Sequence, residues 1–545
     1  MTEYYSSHPF APDIAEDLLW DVIVVGTGMG GATTGYELAK SGRRVLFIEK
    51  GKFLLEEGKR GGGTRIASAS DDCDARLSRG SWPQPIQGIT SFGDVEFFAP
   101  LGSGTGGSTS LFAAQLERML PCDFEPLKNF PNTSSSTLPE KWPIEYMDFV
   151  RYYRLAEELY RVRGTPDPLN RDVDSSLLEP PALSERDIYL YELFREMNLN
   201  PYRAHVACEY VNGCEECGGV ICPRQCKNDS GRICLMPALK QYEAKLLTEC
   251  EALRFEADSD SIKSVVCKLN GVEISLKAKV FVLAAGALFS PILLLNSKSN
   301  MWPDGLANRS GCVGRNLMWH ASDFIAIHLR KSLSFEGPKK ALALNDFYLL
   351  EDTKLGTFQS VGVPITWPYV FSYLRTKFQK APKWQRIFAQ NFILRIVAHA
   401  AEIYFRNASI FATIIEDLPY WENRVVPDKT AKSGMRFEYK YMDELRDRGL
   451  LFRKKLSLKL REKKCKTVIL SRGNNINFGH ACGTCRFGTD PTKSVLNDEN
   501  RAHDVENLYI TDASFFPSSG GTNPSLTIAA NAIRVAETIN MKLCL

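Results

Sequence analysis

The chain of 545 residues is 44% hydrophobic and 24% charged, a composition typical of a globular protein with two to four domains. Its 67 basic and 64 acidic residues nearly cancel, so composition excludes the strong positive charge that a nucleic-acid-binding domain carries. The N-terminal stretch lacks the basic and apolar segments of a signal peptide, and no run of about 18 uncharged apolar residues is present. We therefore expect a cytoplasmic protein without a transmembrane helix.

The first predicted unit is a strand, a glycine-rich turn, a helix and a second strand. Asp21–Val25 and Arg44–Ile48 are apolar and rich in β-branched residues, and they flank the sequence "GTGMGG". Gly26, Gly28 and Gly31 have the spacing of a dinucleotide-binding turn, in which a phosphate group meets the N-terminus of the helix. This context makes dinucleotide binding the favoured interpretation over a chance glycine turn.

Glu49 ends the second predicted strand, 21 residues after Gly28. A carboxylate at that place accepts hydrogen bonds from ribose hydroxyl groups and disfavours a 2′-phosphate. The pattern therefore favours FAD or NAD over NADP.

A second glycine-rich turn, "GTGGSTS", contains Gly106, Gly107 and Ser108 and leads into an apolar stretch. Composition alone does not distinguish this turn from a plain loop. Its meaning depends on the resemblance described below.

Six cysteines fall within 27 residues, at positions Cys208, Cys214, Cys217, Cys222, Cys226 and Cys234. Three explanations are open for them. Disulfides are disfavoured by the reducing compartment that we infer, whereas the short spacings of a thiolate group suit either a structural zinc ion or an iron–sulfur cluster.

Two later segments carry further predictions. Val280–Leu283 predicts a buried strand that ends in small residues and is followed by a helix from Ser290. Arg375–Arg406 carries seven basic residues and one acidic residue along an apolar helical pattern. That pattern fits a helix with one buried face at the edge of a domain, which we favour, or a helix in peripheral contact with an anionic membrane.

The C-terminal part is dense in motifs. A strand is predicted at Leu508–Thr511, followed by Asp512, a glycine-rich turn and a helix that begins near Pro524.

Together these motifs resemble the glucose–methanol–choline (GMC) family of flavoprotein oxidoreductases. The resemblance rests on the two glycine turns, Glu49, "LAAGALFSP", "HACGTCRFG" and "NLYITDASFFPSSGGTNPSLTIAANA", in this order. It implies an α/β (α+β) fold, in which a Rossmann-like FAD-binding domain accompanies a discontinuous substrate-binding domain built on an antiparallel sheet. Phe112 stands where many members have Asn or His.

The resemblance also implies where the parts lie. The FAD-binding domain would comprise residues 1–62, 235–325 and 470–545, the FAD-contacting segment residues 63–125, and the substrate domain residues 126–234, with a cysteine-rich insert at 208–234, and residues 326–469. The expected FAD-contacting residues are Gly26, Gly28, Gly31, Glu49, Gly106, Gly107, Ser108, Asp512, Ala513 and Pro524.

The chemistry implied by the family is oxidation of an alcohol to a carbonyl, with a hydride passing to flavin N5 and the hydroxyl proton to a base. We assign the base to His480, because neutral histidine is available near pH 7, and the partner that positions the substrate to Asn523. His320 has no assigned role, and His503 fits a structural one. A hydroxynitrile lyase and a non-enzymatic FAD-binding protein are the alternatives.

Two narrower resemblances concern electrons and substrate. The spacing of Cys217, Cys222 and Cys226 is similar to the segment that binds a three-iron cluster in membrane-associated sugar dehydrogenases of the family. The run "CPRQCKNDSGRICLMPAL" resembles oxidases of aminoglycoside antibiotic biosynthesis that convert a primary 6′-hydroxyl of a paromamine-type pseudodisaccharide to an aldehyde. A sugar, polyol or long-chain alcohol dehydrogenase is the alternative, and oxygen or an external molecule would accept the electrons.

Overall fold

A computed structural model describes residues 18–55, 72–131, 133, 135–170, 174–329, 333–350, 353–362, 365–367, 370–371, 374–375, 391–463, 465–470 and 476–544. Helices and strands alternate through this part of the chain. The α-helices are α1 (Met29–Lys40), α2 (Cys73–Ser78), α3 (Tyr146–Leu159), α4 (Glu185–Glu196), α5 (Met236–Gln241), α6 (Ser290–Asn296), α7 (Asn391–Phe405), α8 (Asp443–Glu462) and α9 (Ser525–Cys544).

The strands form two large sheets and two small ones. They are β1 (Leu19–Val25), β2 (Val45–Ile48), β3 (Ile86–Thr90), β4 (Gly93–Phe97), β5 (Tyr202–Arg203), β6 (Lys245–Leu247), β7 (Cys250–Ala257), β8 (Ile262–Leu269), β9 (Val272–Leu283), β10 (Met318–Ala321), β11 (Phe324–His328), β12 (Leu342–Leu344), β13 (Leu349–Leu350), β14 (Thr353–Lys354), β15 (Gly356–Ser360), β16 (Ala408–Glu416), β17 (Arg424–Pro427), β18 (Met435–Tyr439), β19 (Lys466–Ile469), β20 (Ile476–Cys482) and β21 (Leu508–Ile510).

The first sheet joins the beginning, middle and end of the chain. Strands β6, β2, β1, β9 and β21 lie side by side and are parallel. Residues 22–25 and 45–48 are all buried apolar side chains, as expected for central strands covered on both faces. Helix α1 packs against α9, and α9 packs against α3. The predicted strand at 280–283 is the end of the longer β9, whose first half pairs with β8 in a β-meander that continues to β7.

The second large sheet is antiparallel. Its strands follow the order β19, β11, β16, β15, β12 and β5, and β10 pairs with both β16 and β20. Helices α4 and α8 cover the sheet with apolar side chains that include Leu190, Phe194, Phe452 and Leu456. The arrangement places the ends of β10, β16 and β20 next to one another.

A smaller sheet of β17, β18, β3 and β4 completes the core on this side. Its aromatic residue Phe437 packs against Trp319 of β10, with ring centroids 5.1 Å apart, and against Phe478 of β20, at 6.1 Å. These contacts pack the smaller sheet against β10 and β20. The predicted domain boundaries stay a prediction.

Helix α7 has the buried face that the sequence predicts and a second, exposed apolar face. Leu394 and Ala398 are buried, whereas Phe392, Ile396 and Ile403 lie on the opposite side and are exposed. Residues 376–390 of the predicted basic segment lie outside the described residues. Within the described ranges no helix is long and apolar enough to cross a membrane, and peripheral membrane contact stays a prediction.

Candidate active site

The first glycine turn connects β1 to α1. At Gly26, where φ is +98°, a Cβ atom would lie 2.4 Å from the carbonyl oxygen of Ala284, and at Gly31 it would lie 2.1 Å from the carbonyl oxygen of Gly26. Gly28 differs, because a Cβ atom there would meet nothing within 4 Å. Packing therefore requires glycine at positions 26 and 31, while Gly28 borders open space at the N-terminus of a 12-residue helix.

The second glycine turn lies directly on the first. Gly107 has a φ of +51°, and a Cβ atom there would come within 2.8 Å of the Gly28 Cα atom. The backbone N–H of Gly106 donates to the Thr27 hydroxyl at 3.3 Å, and the Ser108 hydroxyl accepts from the backbone N–H of Gly102 at 3.0 Å. The structure thus brings together the two turns that lie far apart in the sequence.

Glu49 is buried beside these turns. One carboxylate oxygen accepts from the Thr27 N–H and hydroxyl, at 3.2 and 2.7 Å, and the other accepts from the N–H groups of Gly51 and Gly104, at 2.9 and 3.2 Å. Burial raises the pKa of Glu49, although these hydrogen bonds oppose the shift. A ribose hydroxyl would have to replace one of these donors, so ribose binding by Glu49 stays a prediction.

Asp512 follows β21 at the carboxyl edge of the first sheet, where ligands bind in open α/β sheets. Its carboxylate is buried and accepts from the N–H of Gly286 at 2.9 Å and of Ser514 at 2.8 Å. A Cβ atom at Gly30 would lie 2.0 Å from the carbonyl oxygen of Thr511. The turn at Asp512 therefore packs against the first turn of α1.

Ala513 and Pro524 join this turn to the rest of the site. The Ala513 carbonyl accepts from the N–H of Gly483 at 3.1 Å, just beyond the end of β20. The Pro524 carbonyl accepts from the N–H of Ile528 at 3.1 Å, so α9 begins one residue after the predicted start. These residues and the two glycine turns fit an extended dinucleotide, since Gly28 borders open space at a helix N-terminus, where a phosphate group binds.

His480 of β20 contacts His320 of β10, a pairing that the sequence did not reveal. Their Nδ1 atoms are 3.1 Å apart, and the Nε2 atom of His320 lies 2.9 Å from the carbonyl oxygen of Gly520. Burial lowers the pKa of His320 to about 4. Burial, and then His320, lower the pKa of His480 well below its usual value. Both rings are therefore neutral near pH 7.

Asn523 lies in the same turn, three residues after Gly520. Its side chain is 9% exposed, and its Oδ1 atom has no hydrogen-bond partner among the described residues. A buried amide oxygen without a donor is uncommon in proteins. Asn523 therefore offers a vacant acceptor in the same turn whose Gly520 carbonyl contacts His320.

Four buried side chains hold the turn in place. Glu416 accepts from the N–H of Gly520 at 3.1 Å, while the Tyr348 hydroxyl accepts from the next N–H at 2.9 Å and donates to Asp123 at 2.6 Å. Lys354 forms ion pairs with both Asp123 and Glu416. Burial alone would lower the pKa of Lys354, but the two carboxylates raise it above its usual value. Sequence reasoning missed this set because no motif joins residues so far apart.

The cysteine-rich segment forms a group of thiols. The sulfur atoms of Cys208, Cys214 and Cys226 all lie within 4.8 Å of one another. Cys222 lies 3.4 Å from Cys226, and its thiol also contacts that of Cys217. The predicted trio of Cys217, Cys222 and Cys226 is therefore part of a larger group. Hydrogen bonds from the Cys208 and Cys226 thiols lower the pKa of Cys214, and hydrogen bonds from the Cys217 and Cys226 thiols lower the pKa of Cys222.

Lys227 connects this group to the second glycine turn. Its buried ammonium donates to the carbonyl groups of Ser110 and Cys217, at 2.7 and 2.8 Å, and also to those of Phe112 and Val220, at 3.2 and 2.9 Å. Burial lowers the pKa of Lys227 to about 8. The cysteine-rich segment is thus fixed against the predicted flavin-contacting segment.

Comparison with known families identifies the arrangement. A GMC oxidoreductase N-terminal model matches residues 195–322, the C-terminal model of the same family matches residues 430–532, and an NAD(P)-binding Rossmann-like domain matches residues 24–54. The chain thus matches both the N-terminal and the C-terminal model of the GMC oxidoreductase family. It is accordingly an FAD-dependent oxidoreductase that acts on alcohol groups, and the predicted fold class and enzyme class are confirmed.

Similar proteins span nearly the whole chain. Paromamine 6′-oxidase from Streptomyces fradiae is 28% identical over 548 residues, which cover 96% of this chain and 92% of the relative. The 6‴-hydroxyparomomycin C oxidase from Streptomyces lividus is 28% identical over 553 residues, with the same two coverages. The solved structure of pyridoxine 4-oxidase from Mesorbium loti superposes with a TM-score of 0.64 at 18% identity, covering 95% of this chain and 99% of that one. This GMC protein therefore shares the fold of an oxidase structure.

Proposed function

We propose that this GMC oxidoreductase oxidises a primary hydroxyl group of a sugar or aminoglycoside intermediate of the paromamine type to an aldehyde. The observation that carries the proposal is the similarity to paromamine 6′-oxidase along 96% of the chain. The second Streptomyces relative is also named as an oxidase of an aminoglycoside. A role in antibiotic biosynthesis is part of the same proposal.

In this proposal, bound FAD supplies the two-electron oxidation, and Gly28, Gly107 and Asp512 belong to the surface that binds it. His480 takes the proton of the substrate hydroxyl, because its lowered pKa keeps the ring neutral and able to accept at neutral pH. Asn523 orients the substrate through its vacant amide oxygen, which suits a hydroxyl or ammonium donor. The turn that carries Asn523 also contacts His320, the partner of His480, and holding both groups in place favours a reactive alignment.

The test is anaerobic reduction of the FAD-loaded enzyme by a matched pair of substrates. Paromamine carries the free 6′-hydroxyl, and the analogue in which that group is an amine is the control. We expect bleaching of flavin absorbance with paromamine and none with the amine. Equal bleaching by both would exclude the 6′-hydroxyl as the reacting group, and a flavin that stays oxidised while product forms would favour a lyase over an oxidase.

Further alcohols define the substrate class, and the acceptor is measured separately. A simple hexose, a short diol and a long-chain primary alcohol should each reduce the flavin more slowly than paromamine. If one of these alcohols reduces the flavin faster than paromamine, its chemical class, and not the aminoglycosides, is the substrate class. Reoxidation of the reduced enzyme by oxygen, compared with a quinone, then distinguishes an oxidase from a dehydrogenase.

A second candidate function is a dehydrogenase that passes electrons through a metal cluster held by the cysteine group. The observation that favours it is the approach of Cys208, Cys214 and Cys226 to within 4.8 Å, since soft thiolate ligands select iron–sulfur clusters or zinc. Iron, zinc and sulfide analysis with electron paramagnetic resonance of anaerobically purified protein tests it. Cys226→Ser should remove the metal, whereas Cys73→Ser at an exposed cysteine should not. Protein without metal would exclude the cluster.

A further inference from the structure

The contact between His320 and His480 determines which nitrogen atom carries the proton in each ring. A carbonyl oxygen only accepts hydrogen bonds, so the Nε2 atom of His320, 2.9 Å from the Gly520 oxygen, must carry a hydrogen. His320 is fully buried, and burial without a paired carboxylate favours the neutral ring. A neutral ring protonated at Nε2 has a lone pair at Nδ1.

That lone pair faces the Nδ1 atom of His480 at 3.1 Å. Two lone pairs at this separation would repel, whereas an N–H group and a lone pair form a hydrogen bond. The Nδ1 atom of His480 is therefore the donor. In the neutral ring of His480, the remaining lone pair is then on Nε2.

We infer that His320 is a positioning residue that fixes the His480 proton on Nδ1 and so leaves Nε2 as the atom that accepts the substrate proton. The inference rests on the proposed role of His480 as the base. When the alcohol is oxidised, its O–H bond would break and the proton would move to Nε2, while bound FAD would supply the two-electron oxidation. The imidazolium that forms keeps its Nδ1–H bond to His320.

The buried ion pairs explain why this arrangement has one orientation only. If the His320 ring were protonated at Nδ1 instead, its Nε2 lone pair would face the Gly520 carbonyl oxygen. The carbonyl cannot turn away, because the N–H groups of Gly520 and Gly521 are bound by Glu416 and Tyr348. Lys354 holds those two partners through ion pairs with Glu416 and Asp123. The fixed peptide therefore selects the tautomer of His320, and His320 selects that of His480.

Two amide substitutions at His320 separate the two hydrogen bonds. His320→Asn places an amide oxygen near the position of Nδ1 and retains an acceptor for His480. His320→Gln places an amide nitrogen near the position of Nε2 and retains the donor to Gly520 but not the acceptor. A third variant, His320→Leu, has neither group. We expect the limiting rate of anaerobic flavin reduction to fall less than about tenfold in the Asn variant and about a hundredfold in the Gln and Leu variants. FAD content should be unchanged in all three.

A merely structural role of His320 predicts a different result. Equal rates in the Asn and Gln variants, or a Leu variant as fast as the wild type, would overturn the inference. The double variant His320→Leu with His480→Ala should be no slower than His480→Ala alone, because residues that act as one unit are not additive. If His480→Ala itself reduces the flavin at the wild-type rate, the proposed base is wrong. If His480→Ala reduces the flavin slowly and the Gln and Asn variants of His320 still have equal rates, the role of His480 as the base stands and only the inference about His320 fails.

A measurement on the unsubstituted holoenzyme covers the case in which the His320 variants do not fold. The chain has seven histidines, and ¹⁵N-histidine labelling reports the protonation of each ring nitrogen. We expect the signals that disappear in His480→Ala to belong to a ring protonated at Nδ1 and bare at Nε2. The reverse assignment would contradict the inference.

Discussion

The backbones of Gly28 and Gly107 are in direct contact, with a Cβ atom built on Gly107 only 2.8 Å from the Gly28 Cα atom. The contact places the second glycine turn beside the N-terminus of α1. A Cβ atom built on Gly28 itself meets nothing within 4 Å. The backbone of Gly28 is extended, with φ −69° and ψ −169°, a conformation that any residue adopts. The fold therefore does not require glycine at position 28, and the proposed cofactor site is what would explain it.

Substituting Gly28 should accordingly separate cofactor binding from folding. In Gly28→Val, the side chain would enter the open space and displace the pyrophosphate of FAD. In the apoprotein, the same side chain causes no steric clash at its Cβ atom, because no atom lies within 4 Å of that position. We expect purified Gly28→Val to lose its flavin absorbance and to keep the thermal midpoint of the wild-type apoprotein.

The matched control is Gly449→Ala, because a Cβ atom at Gly449 meets only the end of the Ile415 side chain, at 3.6 Å. This variant should retain FAD and activity. A yellow, active Gly28→Val protein would remove the basis for placing FAD at this turn.

Removal of the proposed base should slow chemistry without releasing the cofactor. In His480→Ala the hydroxyl proton has no acceptor, so we expect the limiting rate of anaerobic flavin reduction to fall by about a hundredfold or more. The control is His503→Ala, since the His503 ring bonds to the Ser494 hydroxyl at 2.9 Å, away from the histidine pair. An unchanged rate in His480→Ala would mean that another group takes the proton.

The pH dependence of flavin reduction should reflect the lowered pKa of His480. The base must be neutral to accept a proton, and burial favours the neutral form, so the rate should rise with pH through a midpoint below the ordinary histidine value of about 6.5 and stay level above it. Stopped-flow reduction between pH 5 and 8 measures this limb. A midpoint above about 7 would mean that the imidazolium is stabilised, contrary to the environment described here.

Much of the geometry around the proposed cofactor site could be predicted from sequence because its residues are close together along the chain. Gly26, Gly28 and Gly31 are fixed by the local geometry of one strand–turn–helix unit, and strand ends at 25 and 283 set where a ligand meets the sheet. The family resemblance then joined the turn at Asp512 to that unit. The structure changed only the element boundaries by a residue or a few, as expected for ends that fray.

The rest depended on tertiary contacts that leave no local pattern. His320 and His480 are 160 residues apart and meet only because β10 pairs with β20. Lys354 lies in a two-residue strand, where a lone charged residue is usually exposed, and nothing near it in the chain predicts partners as distant as Asp123. The cysteine spacing predicted a metal-binding group, but not that Cys208 and Cys214 would lie within reach of Cys226.

The Lys354 ion pairs should stabilise the fold only as a complete set. Lys354, Asp123 and Glu416 are each fully buried, and Lys354→Met removes the cation that forms ion pairs with both carboxylates. Breaking a buried pair in this way costs about 3–5 kcal/mol, and we expect a clear fall in the thermal midpoint of the holoenzyme. The triple variant Lys354→Met, Asp123→Asn, Glu416→Gln removes all three of these charges and should recover part of that loss. If the triple variant is less stable than Lys354→Met, the charges themselves are not what makes the single substitution costly.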